Sequence, residues 1–214
     1  MYSLFEARYG DLKWWPARTD FEVMVGAILT QNTAWRNVEK AISFLRTHRL
    51  LSVTEMHSAT KAKISSLIKP SGYFRIKAER LKELTRYIIG KSGGDIRKMK
   101  KMDPGRLRAE LLLVKGVGNE TADAILLYAL SMPFFVVDAY TKRIFFRHGL
   151  IPHDAAYESV QSLVHSNFPK DVRKYNQFHA MIVETAKRYC KKSVALCDEC
   201  PLGKLYRGDD LTRR

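Results

Sequence analysis

Long apolar runs are missing from this 214-residue chain, and no segment approaches the roughly 20 consecutive apolar residues of a membrane span. The first twenty residues, MYSLFEARYGDLKWWPARTD, carry charges throughout and contain no apolar stretch of signal-peptide length. A soluble, untargeted protein is expected. Cysteine is scarce too: there are three, all between Cys190 and Cys200. An odd number confined to one short loop excludes a disulfide framework and fits a reducing compartment. Acidic residues are few against basic ones, 22 Asp and Glu to 37 Lys and Arg, for a net charge of +15. That balance points to a polyanionic partner, since small acidic metabolites rarely need so much positive charge. Tandem repeats, low-complexity linkers and alternating strand-like runs are nearly absent as well. With 46% apolar residues the chain can bury a core, so intrinsic disorder is excluded.

What is present is helical periodicity. Phe21, Val25, Ile28 and Leu29 recur near a period of 3.6, as do Val38, Ile42 and Leu45, and again Ile125, Leu126 and Ala129. Thr19 with Glu22 reads as a capping box, and Asp103 followed by Pro104 as an N-cap with proline at the first helical position. Gly72, Gly93 with Gly94, Gly116 with Gly118, and Gly149 followed by Pro152 divide the chain into many short helices. The pattern predicts an all-α protein. From Arg75 to Lys101 there are ten basic residues against Glu79, Glu83 and Asp95, which reads either as a cationic stripe beside a nucleic acid or as a solvated helix face.

The most informative segment is LLLVKGVGNETADAILLYAL, 111–130, in which one apolar helix stops at Gly116 and another starts after Gly118. Glycines at both positions permit positive φ and a close approach of backbone to ligand. Free N–H groups at the start of the second helix suit a phosphate, and Lys115 adds a point charge. Taken alone, the segment reads as an αα-hairpin whose glycines only close a turn, and it is the net charge of +15 that favours nucleic acid.

LVKGVGNETA resembles the helix-hairpin-helix of the endonuclease III family of DNA glycosylases. PFFVVDAYTKRIFFRHG resembles that family's aspartate-bearing segment, FEVMVGAILTQNTAWRNVEKAI its first core helix and glutamine loop, and CKKSVALCDEC its iron–sulfur loop. KWWPA and QNTAW are similar to aromatic positions of the 3-methyladenine branch. The resemblance implies an all-α helix-hairpin-helix glycosylase fold of two helical lobes with a cleft between them. One lobe would be 19–130, with its hairpin at about 107–130. The other would be 1–18 plus 131–214, with a cysteine loop at 190–206. It also implies a monomer acting on double-stranded DNA that contains a damaged base, in the cytoplasm and, in a bacterium or archaeon, associated with the nucleoid.

Residue roles follow from the same resemblance. Asp138, by sequence an N-cap, would stabilise positive charge on the anomeric carbon as the N-glycosidic bond breaks and would orient or deprotonate water. Gln31 would fill the gap left by the extruded base. Lys115, Gly116, Val117 and Gly118 would grip the backbone. Trp15 and Trp35, with Trp14 and Pro16, would form the base pocket, where tryptophan faces favour a positively charged alkylpurine over a neutral base. Family members that also cut the strand place a lysine nucleophile two residues after the second hairpin glycine. Here that residue is Glu120, which cannot form an imine, so hydrolysis without lyase action is expected. Cys190, Cys197 and Cys200 match the spacing of a [4Fe–4S] loop up to its third ligand, but the fourth position is Tyr206. No histidine follows Cys200 to complete a zinc site. His179 reads as a core histidine. The competing functions are a bifunctional endonuclease III-like or mismatch glycosylase, and a noncatalytic DNA-binding hairpin module.

Overall fold

The computed structural model describes residues 1–205. Among them are twelve α-helices and no β-strand: α1 (Tyr2–Tyr9), α2 (Asp20–Leu29), α3 (Trp35–Thr47), α4 (Val53–Ser58), α5 (Lys61–Leu67), α6 (Phe74–Ser92), α7 (Ile96–Met99), α8 (Pro104–Leu112), α9 (Asn119–Ala124), α10 (Ala139–Arg147), α11 (Tyr157–Asn167) and α12 (Val172–Arg188). No helix among the described residues is long and apolar enough to cross a membrane. The chain divides into two compact units. A hairpin unit spans Trp15–Met132, and a carboxylate unit joins Met1–Trp14 to the chain from Pro133 onward. The lower boundary thus falls between Trp14 and Trp15 instead of at 18/19. The reason is local: the Trp15 indole lies against Gly26 of α2, within 3.2 Å of where a Cβ would be, and anchors the segment there.

In the hairpin unit α2 is the central helix, with every residue but Asp20 buried. Thr19 Oγ1 accepts from Glu22 N (3.1 Å), which is half of the expected capping box. The other half is missing because the Glu22 carboxylate, 3% exposed, pairs instead with Arg46 of α3 at 2.6 Å. A buried carboxylate needs a cation more than it needs one further backbone donor. The inner stripe of α3 is Val38, Ala41, Ile42 and Leu45, as the periodicity predicts. Each such side chain contributes about 1.5–3 kcal/mol on burial, and Leu45→Ala would cost about 2–5 kcal/mol once the cavity is included. The long helix α6 carries α4 and α5 on its flank and ends at Gly93, which is left-handed (φ 66°).

The basic run 75–101 is largely employed in building this unit. Lys77 is interior and Lys82 donates to His57 O and Ala59 O. Arg86, Lys91, Arg97 and Lys100 pair with Glu83, Glu110, Asp95 and Asp20. Neither a solvated face nor a free cationic stripe describes these residues, because buried oxygens and carboxylates of the same unit hold them.

In the carboxylate unit, α1 and α10 pack on α12, whose inner face carries Tyr175, Phe178, His179 and Ile182. Phe5, Phe135 and Phe168 surround Phe178 with ring centroids 5.0–6.2 Å away. The extended segment 133–138 pairs with no strand, and side chains of α11 satisfy its backbone. Phe135 N donates to His165 Nε2 (3.1 Å), Val137 N to the Tyr157 hydroxyl (3.2 Å), and Gln161 Nε2 donates to Phe135 O (2.7 Å). Buried peptide groups demand partners, and helix side chains supply them here.

Candidate active site

Asp138 closes that extended segment and caps α10, accepting from Thr141 N at 2.7 Å through Oδ1. Its other oxygen lies 3.5 Å from His179 Nε2, and the two side chains are only 13% and 6% exposed. Burial by itself raises the carboxyl pKa, but the His179 ring beside it and the Thr141 N–H outweigh that, so the group is held below its ordinary value of 3.8. Asp138 is therefore a shielded carboxylate that stays ionised. The reading of His179 as a core histidine is half right, for it is buried but sets the charge environment of Asp138. Sequence reasoning missed the pairing because 41 positions along the chain and two helices, α10 and α11, separate the two. Trp14 also belongs to this unit. Its ring meets His179 edge-on (6.5 Å) and the Lys187 ammonium stands 5.4 Å from it.

In the hairpin unit Trp15, in the left-handed region at φ 65°, stacks on Tyr128 (4.9 Å, 27°) and meets Trp35 edge-on (5.5 Å, 70°). A bulky residue at positive φ is strained, and such strain is kept where a side chain must be aimed. All three rings remain half-buried, so they form a wall with open area. Tyr128 was missed because it sits inside LLYAL, a run that reads as core. Pro16 is exposed, and Trp14 belongs to the carboxylate unit.

Gly116, at φ 88°, is the hairpin glycine that requires its identity. A Cβ there would also strike the Arg80 side chain. Gly118 differs from the expectation, because its φ is −98° and a Cβ would meet nothing within 4 Å. Its bareness leaves the start of α9 open to a ligand instead of serving the turn. Val117 is buried and its N–H is spent on Val114 O (2.9 Å), so its side chain is core. Lys115 is exposed and pairs with Glu79 at 2.9 Å, which raises its pKa and keeps it protonated.

The Gln31 amide is turned inward. Nε2 donates to Gly116 O (3.0 Å) and Thr121 Oγ1 (2.9 Å), and Oε1 accepts from Arg80. Next to it Asn32 is exposed and left-handed (φ 52°), and Tyr73 is another exposed left-handed residue (φ 45°, 68% exposed). Lys77 braces this region from below. Its ammonium, 1% exposed, donates to Leu29 O (2.9 Å), Thr33 Oγ1 (2.7 Å) and Ser71 O (2.7 Å).

The three cysteines line one cavity of about 290 Å³, together with Arg147 and His148 from the end of α10. Arg147 Nη1 donates to Cys190 Sγ (3.1 Å), and Arg143 Nε donates to Cys190 O (2.7 Å). Among the described residues no three His, Cys, Asp or Glu side chains gather closely enough for a single ion. Tyr206, at the fourth position, lies outside the described residues.

Comparison with known proteins defines the class. Residues 25–170 match the model of the HhH-GPD superfamily of base excision DNA repair proteins, and the chain belongs to that family. It is a helix-hairpin-helix DNA glycosylase, and its partner is DNA. Particular relatives follow. A Methanocaldococcus jannaschii protein provisionally named a DNA repair glycosylase is 48% identical over 94% of this chain and 92% of its own length. Endonuclease III of Thermotoga maritima is 33% identical over 84% of this chain and 79% of its own. Among solved structures, the 3-methyladenine DNA glycosylase of H. pylori bound to 1,N6-ethenoadenine matches with a TM-score of 0.74 and 27% identity, covering 87% of this chain and 97% of that one.

Proposed function

We propose that this glycosylase hydrolyses the N-glycosidic bond of alkylated purines of the 3-methyladenine or 7-methylguanine type and leaves an abasic site uncut. The ionised, shielded carboxylate of Asp138 carries the reading. Held beside His179 and the Thr141 N–H, it is fixed in place to face positive charge on the anomeric carbon and to orient the attacking water. Fixed charge in a poorly solvated place is worth more than the same charge in water. The electron-rich wall of Trp15, Trp35 and Tyr128 supports a cationic base over a neutral one. The likeness to an H. pylori 3-methyladenine glycosylase holding a modified adenine points the same way.

Two features speak for hydrolysis over lyase chemistry. Glu120 stands where an imine-forming lysine is needed, and the nearby Lys115 is kept protonated by Glu79 and so is a poor nucleophile. The cysteine loop offers Cys190, Cys197 and Cys200 to a [4Fe–4S] cluster, which when bound would cross-link the end of α12 to the loop beyond it. Iron and acid-labile sulfide analysis of protein purified without oxygen tests this, with stoichiometric iron expected and iron-free folded protein against it. A monomer working in the cytoplasm completes the reading, with sedimentation as its check.

The deciding experiment is base release from duplexes carrying methylated purines or thymine glycol, with and without alkali. Release of methylated purine with strand breaks only after alkali is the expected result. Cleavage at thymine glycol without alkali would overturn it in favour of an endonuclease III-like activity, towards which the T. maritima relative points.

A further inference from the structure

Gln31 cannot enter a DNA duplex while its amide is spent as described. Both amide hydrogens are donated to the hairpin, and its oxygen is held by Arg80. Arg80 is the partner that an anion can draw away. It lies across Gly116, with its stem where a Cβ would otherwise stand. Its two carboxylate neighbours on α6, Glu79 and Glu83, are already paired with Lys115 and Arg86. The Arg80 guanidinium donates to a neutral amide oxygen, and no carboxylate among the described residues pairs with it. One turn earlier on α6 stands Lys77, whose pKa burial and then the Arg80 charge lower to about 8. The Arg80 charge thus stands beside the hairpin glycine without a carboxylate of its own among the described residues. A guanidinium fork matches two phosphate oxygens far better than it matches one amide oxygen.

We propose that Arg80 is a phosphate-released latch on Gln31. In the DNA-free protein it holds the glutamine folded onto the hairpin. When a backbone phosphate arrives at the Lys115–Gly118 turn, the guanidinium turns to that phosphate and the Gln31 amide is freed to fill the gap left by an extruded base. Backbone grip and gap filling become one event, so the glutamine is not offered until DNA is seated. The inference rests on the reading of the hairpin as the backbone grip, and it assigns Arg80 a positioning role that the hairpin motif itself does not contain.

The test is binding of the full chain to an intact duplex and to one carrying a tetrahydrofuran abasic analogue, each over a range of potassium chloride concentrations. The proteins are wild type, Arg80→Met, Arg80→Lys and Gln31→Ala. The latch requires that Arg80→Met flatten the slope of log affinity against log salt by about 0.9, the loss of one phosphate contact, while Arg80→Lys keeps it. It also requires that Gln31→Ala lower the preference for abasic over intact duplex by about tenfold, the scale of one hydrogen bond. An unchanged slope in Arg80→Met means that the arginine stays on Gln31 in the complex and overturns the proposal. Equal weakening of both duplexes by Gln31→Ala means that the amide stays latched, and overturns it as well. If the methionine variant melts early, Arg80→Gln provides the same comparison. Because no base is released in this assay, its outcome is independent of whether the substrate is an alkylpurine.

Discussion

Two buried charges, one in each unit, are satisfied in opposite ways. Lys77 gives its three ammonium hydrogens to three oxygens and has no capacity left. Asp138 can accept about four hydrogen bonds, yet it takes one from Thr141 N and otherwise rests 3.5 Å from His179. Saturation marks the lysine as a brace: it ties the end of α2 and the Gln31 loop to the turn before α6. Incomplete saturation leaves the carboxylate lone pairs for water or a sugar cation. Both cost desolvation, but only one charge has something left to offer a substrate.

The contrast breaks most sharply at Asp138. Asp138→Asn keeps the size and the cap and removes the charge, so base release should fall by about 10²–10⁴-fold while affinity for abasic duplex is retained. Single-turnover rates beside binding isotherms check this, and full turnover would end the mechanism. Lys77→Met should do the reverse. Two buried carbonyls and a hydroxyl lose their donor at about 1–3 kcal/mol each, so the melting temperature should drop by several degrees or more. A melt unchanged by this substitution would mean that Lys77 braces nothing.

Trp35→Ala removes one ring of the aromatic wall and leaves Trp15 on Gly26. Stacking on one ring is worth about 1–3 kcal/mol, so KM for a methylated purine should rise roughly tenfold or more with little change in melting. Within the hairpin, Gly116→Ala should cost about 1–2 kcal/mol of stability for positive φ, before the contact with Arg80 is counted. Gly118→Ala should stay within about 0.5 kcal/mol of wild type by calorimetry but weaken DNA binding. Equal melting losses at the two glycines would contradict the dihedral difference between them.

The pH dependence carries the smallest effect. The Asp138 carboxyl titrates below 3.8 in the folded protein, so its stabilising contribution is present above the unfolded value and is lost as pH falls through the folded one. Any acid limb in base release that lies above pH 3.8 therefore belongs to another group. In Asp138→Asn the acid-side loss of stability should be shallower than in wild type, as equilibrium unfolding over a pH series would show.

Local rules made much of this chain legible. The N-caps at Thr19, Asp103 and Asp138, the stripe of α3 and the stop at Gly93 follow from side chains acting within a few residues of themselves. The order of four motifs gave the family, because each motif is a short, continuous piece of chemistry. What sequence could not rank was competition between partners. Glu22 had both a capping position and Arg46 to choose from, and the basic run 75–101 had carboxylates or a nucleic acid. Gln31 was legible as a loop glutamine but not as one bound to the hairpin 85 residues away.

The sequence by itself determined the helices, the hairpin, the aspartate and the place of the cysteines, since these depend on periodicity, capping and residue type. Tertiary structure decided which charges are spent and which are held ready. It set His179 against Asp138, brought Tyr128 to Trp15 and laid Arg80 over Gly116, because only the folded chain places groups distant in sequence within the few ångströms over which hydrogen bonds and ion pairs act.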